Sequence, residues 1–390
     1  MTQTSPAPRM PESAGSYRRT KPGHARSGPS RGVLKAIALV VVGLLAFGSS
    51  AAFAGIYRIQ NMATKVDVSD LVSAPAPRPD LPPADNEKGQ SLNILVLGTD
   101  YRGGDNAELS DSATGGMRSD TTMVIHLSSD RTRAEVVSIP RDSMVEIPEC
   151  LTTDGQVLQA QRRAMFNSAF ARGWDYGGDI ASAAACTINT IQHNTGLTID
   201  HFVVIDFAGY KDIVDALGGI DIEIPEDISV AKVGGFKLEA GWHTLNGTDA
   251  LKLVRGRKGT GWGLEMGSDL SRIDRQQAVV NATIETALSK NFLTDLPKLT
   301  GFVTAAISSL TMNPELSNNL VGLATSLTGI STGDVEFIST PVATDPYDKN
   351  RVVWTSAADE LWERLLLDNP PVTEVDPDST APETGAGNAN

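Results

Sequence analysis

Thr121-Thr-Met-Val-Ile-His-Leu127-Ser-Ser-Asp-Arg131-Thr-Arg-Ala134-Glu-Val-Val-Ser-Ile139 reads as two β-strands joined by a short polar turn. β-Branched and aliphatic residues fill both arms, and Ser128-Ser-Asp-Arg131 supplies turn chemistry, so an antiparallel hairpin is expected. Upstream, Asn93-Ile-Leu-Val-Leu-Gly-Thr-Asp100 is another apolar strand, ending in Gly98-Thr-Asp100. Downstream, strands and helices alternate. Helices are expected over 180–193, 209–217, 246–254, 269–291, 316–327 and 356–367, and strands over 201–206, 220–224 and 335–339. A hairpin inside such an alternation predicts an α/β fold: a three-layer α/β/α sandwich with a central mixed sheet, preceded by one transmembrane helix.

The transmembrane expectation comes from the N-terminal region. Residues 1–35 are rich in Pro, Ser and Gly and carry Arg9, Arg18, Arg19, Lys21, Arg26, Arg31 and Lys35 against the single acid Glu12. That composition cannot build a core and is expected to form a disordered cytoplasmic tail. Residues 36–57 follow, with about 21 uncharged positions from Ala36 to Ile56, long enough to cross a bilayer. A cleaved signal peptide competes with this reading, since Ala52-Phe-Ala54 has the small-residue pattern of a cleavage site. The long basic leader and long apolar run favour an uncleaved anchor. Basic charge ahead of the span then places a single-pass protein in the cell membrane, N-terminus cytoplasmic and C-terminal domain outside. Residues 58–90, Pro-rich around 74–83, are expected as an extracellular spacer, 91–368 as one folded domain, and 369–390 as a disordered tail. No internal repeat is visible.

The chain has a formal net charge of −14. Its basic tail carries about +6, which leaves about −20 for the remainder, a balance that argues against nucleic acid as a partner. Cys150 and Cys186 are the two cysteines. In an oxidising compartment an even count favours a disulfide, which would close a loop of about 37 residues worth roughly 3–4 kcal/mol. Two reduced, buried thiols are the alternative; no ligand spacing points to a metal at either.

Within this acidic chain, Arg255-Gly-Arg257 and Asp269-Leu-Ser-Arg272-Ile-Asp-Arg275-Gln-Gln277 gather four arginines. Arginine grips phosphate bidentately, being planar and always charged. A helix begun at Ser268 or Asp269 sets Asp269, Arg272 and Gln276 on one face, beside an apolar stripe of Ile273, Val280, Ile284 and Leu288. A solvated helix with incidental ion pairs is the bland counterpart. If the first three strands run up, down and up, Asp100, Asp120 and Arg141 share one rim of the sheet, where α/β ligand sites gather. Two carboxylates there suit a hard cation such as Mg²⁺ or Mn²⁺ shared with phosphate oxygens, although each acid alone could be a cap or turn residue. There is no Gly-x-Ser-x-Gly elbow, and five scattered His residues offer neither a triad nor zinc spacing.

Asn93–Asp100, Arg118-Ser-Asp-Thr121, Ser138-Ile-Pro-Arg-Asp142, Phe166-Asn-Ser-Ala-Phe170, Asp215-Ala-Leu-Gly-Gly219, Leu245-Asn-Gly247, Ala250-Leu251, Arg255-Gly-Arg257 and Arg272…Arg275-Gln-Gln277 together resemble the LytR-CpsA-Psr family. The likeness runs in order from about Leu92 to Asn291, and the two-cysteine pattern resembles actinobacterial members. It implies a membrane-anchored phosphotransferase that moves a cell-wall glycopolymer from a polyprenyl diphosphate carrier onto peptidoglycan, with Mg²⁺ at the diphosphate. By that resemblance Asp100 and Asp120 hold the metal. Arg141, Arg255, Arg257, Arg272, Arg275 and Gln276 bind the diphosphate, and Arg255, Arg257, Asp269 and Arg272 are the catalytic set. Asp269 positions the arginines, and Asp269 or Asp100 is a candidate base. Phe166, Phe170, Phe202 and Val204, with Phe207 and Val280, are candidates for the lipid tunnel, though ordinary core packing is the commoner role for any one of them. Many relatives have Lys-Ile-Asn where this chain has Met165-Phe-Asn167, so Arg163 is a candidate substitute cation. Two other classes remain: a pyrophosphatase acting on the carrier with the same arginines and metal, and a non-catalytic lipid-binding regulator of the envelope, in which substitutions at those residues would leave wall attachment unaffected.

Overall fold

A computed structural model describes residues 55, 57–58, 61–73, 89–101, 116–230, 235–256, 258–265, 269–289 and 296–371, with the backbone alone at 269–274, 288–289, 296–301 and 332. All lie in the compact unit Gly55–Asn390. Seven strands form the main sheet: β1 (Thr64–Lys65), β2 (Leu92–Thr99), β3 (Ser119–Leu127), β4 (Ala134–Ile139), β5 (His201–Ile205), β6 (Leu310–Met312) and β7 (Val335–Ser339). Their spatial order is β1-β6-β5-β2-β3-β4-β7. The expected hairpin is β3–β4, antiparallel from Leu127↔Ala134 to Thr122↔Ile139. β2 pairs antiparallel with β3 but parallel with β5, and β7 runs parallel to β4, so the sheet is mixed.

Successive side chains on a strand point to opposite faces, and here each face has its own cover. One face presents Leu95, Leu97, Val124, Val137 and Phe202 to α1 (Ser168–Gly177), α2 (Ile180–Thr195) and α8 (Ser356–Leu366), with Phe166, Phe170, Cys186 and Trp362 in the same cluster. The other presents Ile94, Leu127 and Ala134 to α7 (Pro314–Ser326), through Leu316 and Leu323. On that second face, α3 (Phe207–Leu217), α4 (Gly247–Arg255), α5 (Asp269–Ser289) and α6 (Leu296–Ser308) complete the layer around a further core of Val214, Ile222, Leu253 and Val279.

Local chemistry fixes the helix ends. Asp179 caps α2 by accepting from Ser182 N at 2.7 Å, and Asp206 caps α3 by accepting from Gly209 N at 2.8 Å. Gly218 ends α3 with φ 80°, a left-handed cap that suits glycine. Gly247 is required by close approach: a Cβ there would sit 2.3 Å from the Lys211 carbonyl oxygen, so α3 and α4 can meet only without one.

Cys150 and Cys186 are disulfide-bonded, tying a small β-ribbon to the middle of α2. That ribbon (Met144–Ile147 with Gln161–Met165, then Cys150–Leu151 with Val157–Leu158), the helices α1 and α6, and a three-stranded ribbon over 228–260 lie outside the sequence expectations. The expected spacer over 58–90 needs correction. Residues 61–73 belong to the folded unit: Ala63 is buried, β1 pairs with β6, and the Asn189 amide bonds Ser73 N at 2.9 Å and Leu71 O at 2.9 Å. The Pro-rich part over 74–88 is outside the described residues, as are 1–54 and 372–390. Among the described residues no helix is long and apolar enough to cross a membrane.

Candidate active site

The C-terminal ends of β2 and β5 and the start of β3 form one rim of the sheet. Register shifts between Gly98 and Thr99, so Thr99 pairs with Ser119 and Asp120 is the extra residue on β3, while ordinary alternation sets Asp100, like Val96 and Gly98, toward the second face. Asp100 is held there in both directions: its backbone N–H donates to Arg118 O at 3.0 Å, and its carboxylate accepts from Arg118 N at 2.8 Å. Next to it, Arg141 Nη1 donates to Asp120 Oδ1 at 2.8 Å, with both side chains about one-fifth exposed. The up-down-up reading therefore brings Asp100, Asp120 and Arg141 together as expected.

Behind this rim lies a cavity of about 540 Å³ between the sheet and helices α3, α4 and α5. Its wall is Val96, Met123, Ile125, Val136 and Ile205 from the strands, and Phe207, Ile213, Leu251, Val254, Val279, Val280 and Ile284 from the helices. Asp100, Asp120, Asp206, Arg255, Lys258 and Gln276 supply the ionic and amide groups. The three acids sit at strand ends and Arg255 at the last turn of α4. Ile125 and Val136 lie within their strands and Ile284 late in α5, so the cavity runs from a charged end into an apolar one. An apolar pocket with few polar groups at one place is the usual form of a site for an amphipathic ligand.

The groups at the charged end are positioned individually. The Arg255 guanidinium lies 4.7 Å from the centre of the Phe207 ring, an aromatic shelf that orients it. Tyr210 faces the cavity with its hydroxyl 3.3 Å from Thr283 Oγ1, and burial pushes its phenol up to about 12. The Asp206 carboxylate caps α3 while lining the cavity.

Several expectations change. Phe166, Phe170, Phe202 and Val204 do not line this cavity; they pack in the core on the opposite face. Phe202 and Val204 are placed there by the pleat, since the cavity takes the alternate position Ile205. Phe207 and Val280 do line it. Arg275 is not at the charged end but 1% exposed, donating Nη1 to Trp262 O and Nη2 to Gly256 O, both at 2.7 Å. Its fork holds the loop that follows α4, the loop carrying Lys258. Arg163 is not a spare cation: it pairs with Asp345 and lies 4.7 Å over the Tyr347 ring, and its guanidinium holds Asp345 below the usual carboxylate range. Gln276 lines the cavity as expected. Asp269 and Arg272 fall in the first turn of α5, with side chains outside the described residues, and Arg257 is outside them entirely. Sequence reading passed over Asp206, Tyr210 and Lys258. Asp206 follows a strand just as Asp100 does, which was the available signal.

The acids at the charged end offer only oxygen donors, and among the described residues no group of three or more His, Cys, Asp or Glu could hold a metal by itself. Such a set fits a hard cation that takes one or two carboxylates and completes its shell with phosphate oxygens and water.

Over 230 residues the chain is 29% identical to the cell wall biosynthesis protein LcpA of Corynebacterium glutamicum, a match covering 57% of this chain and 43% of that protein. Over 307 residues it is 29% identical to the polyisoprenyl-teichoic acid–peptidoglycan teichoic acid transferase TagT of Bacillus subtilis, covering 76% and 83%. Its fold matches a LytR-Csp2A-Psr enzyme from Actinomyces oris with a TM-score of 0.55 at 21% identity, over 78% of this chain and 96% of that one. The family model of the LytR_cpsA_psr family matches residues 55–365, and the chain belongs to that family.

Proposed function

We propose that this protein is a membrane-anchored phosphotransferase that moves a glycopolymer from a polyprenyl diphosphate carrier onto peptidoglycan. The carrying observation is the cavity: an apolar interior of about 540 Å³ for a polyprenyl chain, ending at Asp100, Asp120, Arg255, Lys258 and Gln276 for its diphosphate. The names of relatives such as TagT support the same class of substrate. In the reaction, an acceptor hydroxyl oxygen attacks the phosphorus bearing the glycopolymer. The bond from that phosphorus to the bridging oxygen breaks, polyprenyl phosphate leaves with the electron pair, and the hydroxyl proton passes to a rim carboxylate or to water. Arg255 and Lys258 neutralise the phosphate oxygens, Gln276 donates to one of them, and the apolar wall excludes water from the lipid side. Asp100 and Asp120 would hold Mg²⁺ or Mn²⁺, which supplies charge neutralisation on the diphosphate. The span over 36–57 would keep the protein at the membrane where the carrier resides, and the acidic domain argues for no nucleic-acid role.

The test is transfer of polyprenyl-linked polymer to peptidoglycan by the full-length protein in detergent across a Mg²⁺ titration. Polymer bound covalently to peptidoglycan is the expected product. Release of phosphate with no linked polymer would make the protein a pyrophosphatase, and the absence of turnover with retained lipid binding would make it a regulator. Asp120→Ala should raise the Mg²⁺ concentration needed for half-maximal transfer.

A further inference from the structure

The ends of β2 and β5 have a second hollow behind them, on the face opposite the cavity. It measures about 420 Å³ and is lined by Thr99, Tyr101, Trp174, Asp179, Asp206 and Thr311, among others. Thr99 and Tyr101 alternate with the Gly98 and Asp100 of the first cavity, and Val204 with Ile205, so one thickness of backbone separates the two spaces. Asp206 borders both. Building on the transfer reading above, we propose that this second hollow binds the acceptor, seating a pyranose ring of the peptidoglycan glycan strand.

Three observations point to that ligand. Tyr101 and Trp174, both half-buried, meet edge to face with ring centres 5.9 Å apart, forming an aromatic corner at the hollow. The C–H face of a pyranose packs on such rings, while its hydroxyls need small oxygen partners, which Thr99, Thr311 and Asp179 provide. Lysine and arginine are absent from the described lining, and the two charged groups there are the carboxylates Asp179 and Asp206. That balance disfavours a phosphate-rich chain and leaves the anionic donor to the arginine side. Asp206 at the rim borders both spaces, so an acceptor seated in the second hollow would approach the charged end over the strand ends and leave the first cavity to the lipid. Asp179 is fixed for the purpose by Ser182 N and Thr153 Oγ1.

The experiment measures binding of two probes to the full-length protein in detergent: a tetrasaccharide of alternating N-acetylglucosamine and N-acetylmuramic acid, and a polyprenyl diphosphate. Trp174→Leu and Tyr101→Leu should each weaken tetrasaccharide binding at least tenfold and leave polyprenyl diphosphate binding within twofold. Arg255→Ala should do the reverse. Thr311→Trp fills the hollow from the strand side and should also abolish tetrasaccharide binding, which decides the matter if Trp174→Leu fails to fold. Unchanged tetrasaccharide binding in folded Thr311→Trp overturns the proposal, as does loss of polyprenyl diphosphate binding, rather than tetrasaccharide binding, in Tyr101→Leu. Unchanged polyprenyl diphosphate binding in Arg255→Ala would instead sink the donor-site reading while leaving this one to stand or fall on its own arms.

Discussion

At the scale of single residues, Arg255 and Tyr210 separate the two kinds of work done in the cavity. Arg255 carries full charge on an aromatic shelf at the charged end. Replacing it by Ala should remove two or more charge-assisted hydrogen bonds to phosphate, each worth about 1.5–3 kcal/mol, so transfer should fall at least about a hundredfold with the fold intact. Arg255→Lys should restore only part of the rate, because a point charge cannot reproduce the fork. Full transfer by Arg255→Ala would remove it from the diphosphate site. Tyr210, deeper in, is held neutral by burial, with its phenol near 12 against about 10 in an unfolded chain. Its contribution to stability is therefore intact below pH 10 and lost as pH rises toward 12. Alkaline unfolding of the wild type should lose roughly 1–3 kcal/mol more across that window than unfolding of Tyr210→Phe. Parallel pH dependences for the two proteins would show that Tyr210 is solvated in the folded state.

Between elements, the decisive contacts are backbone approaches rather than side-chain pairs. Gly247 lets α4 start against the Lys211 carbonyl of α3. Gly247→Ala should cost about 2–3 kcal/mol in denaturant unfolding, since the two backbones must part. An unchanged midpoint would mean the helices are loosely seated. Arg275 does comparable work for the loop after α4, and its sequence setting inside an arginine-rich stretch concealed this. Residue type alone could not separate a guanidinium facing phosphate from one buried against carbonyls. The same ambiguity affected the aromatic residues: Phe202 and Phe207 lie five positions apart, and only the observed pleat and helix start put one in the core and the other on the cavity wall. What was legible were the strands with long apolar runs, the hairpin turn and the glycine stop at Gly218-Gly219. The ribbons over 144–165 and 228–260 were not: most of their strands have two to four residues, too few to show a period, and Gln161-Arg-Arg-Ala-Met165 is polar and exposed over its first half. Helix α1 was hidden by Arg172-Gly-Trp-Asp-Tyr-Gly177, whose glycines read as a loop until packing against α2 is known.

For the molecule as a whole, the two faces of the sheet are unequally filled. The face covered by α1, α2 and α8 carries the larger continuous core and the Cys150–Cys186 bridge, with its hollow confined to the ends of β2 and β5, while on the opposite face the cavity runs from the rim in beneath three helices. Cys186→Ser should lower unfolding stability by about 3–4 kcal/mol with no direct change at the charged end of the cavity. A stability loss under 1 kcal/mol would show that the reduced chain already has the ribbon in place. The hollow itself has a thermodynamic consequence. Apolar walls gain contacts when a ligand fills the space between them, so a bound apolar group would act as an internal part of the fold. A polyprenyl tail would be that part, and each tenfold rise in its free concentration above the dissociation constant should add about 1.4 kcal/mol to folding. Heat resistance would then serve as a gauge of carrier supply: cells rich in loaded lipid would keep this protein durable, and cells starved of it would leave it open to proteolysis.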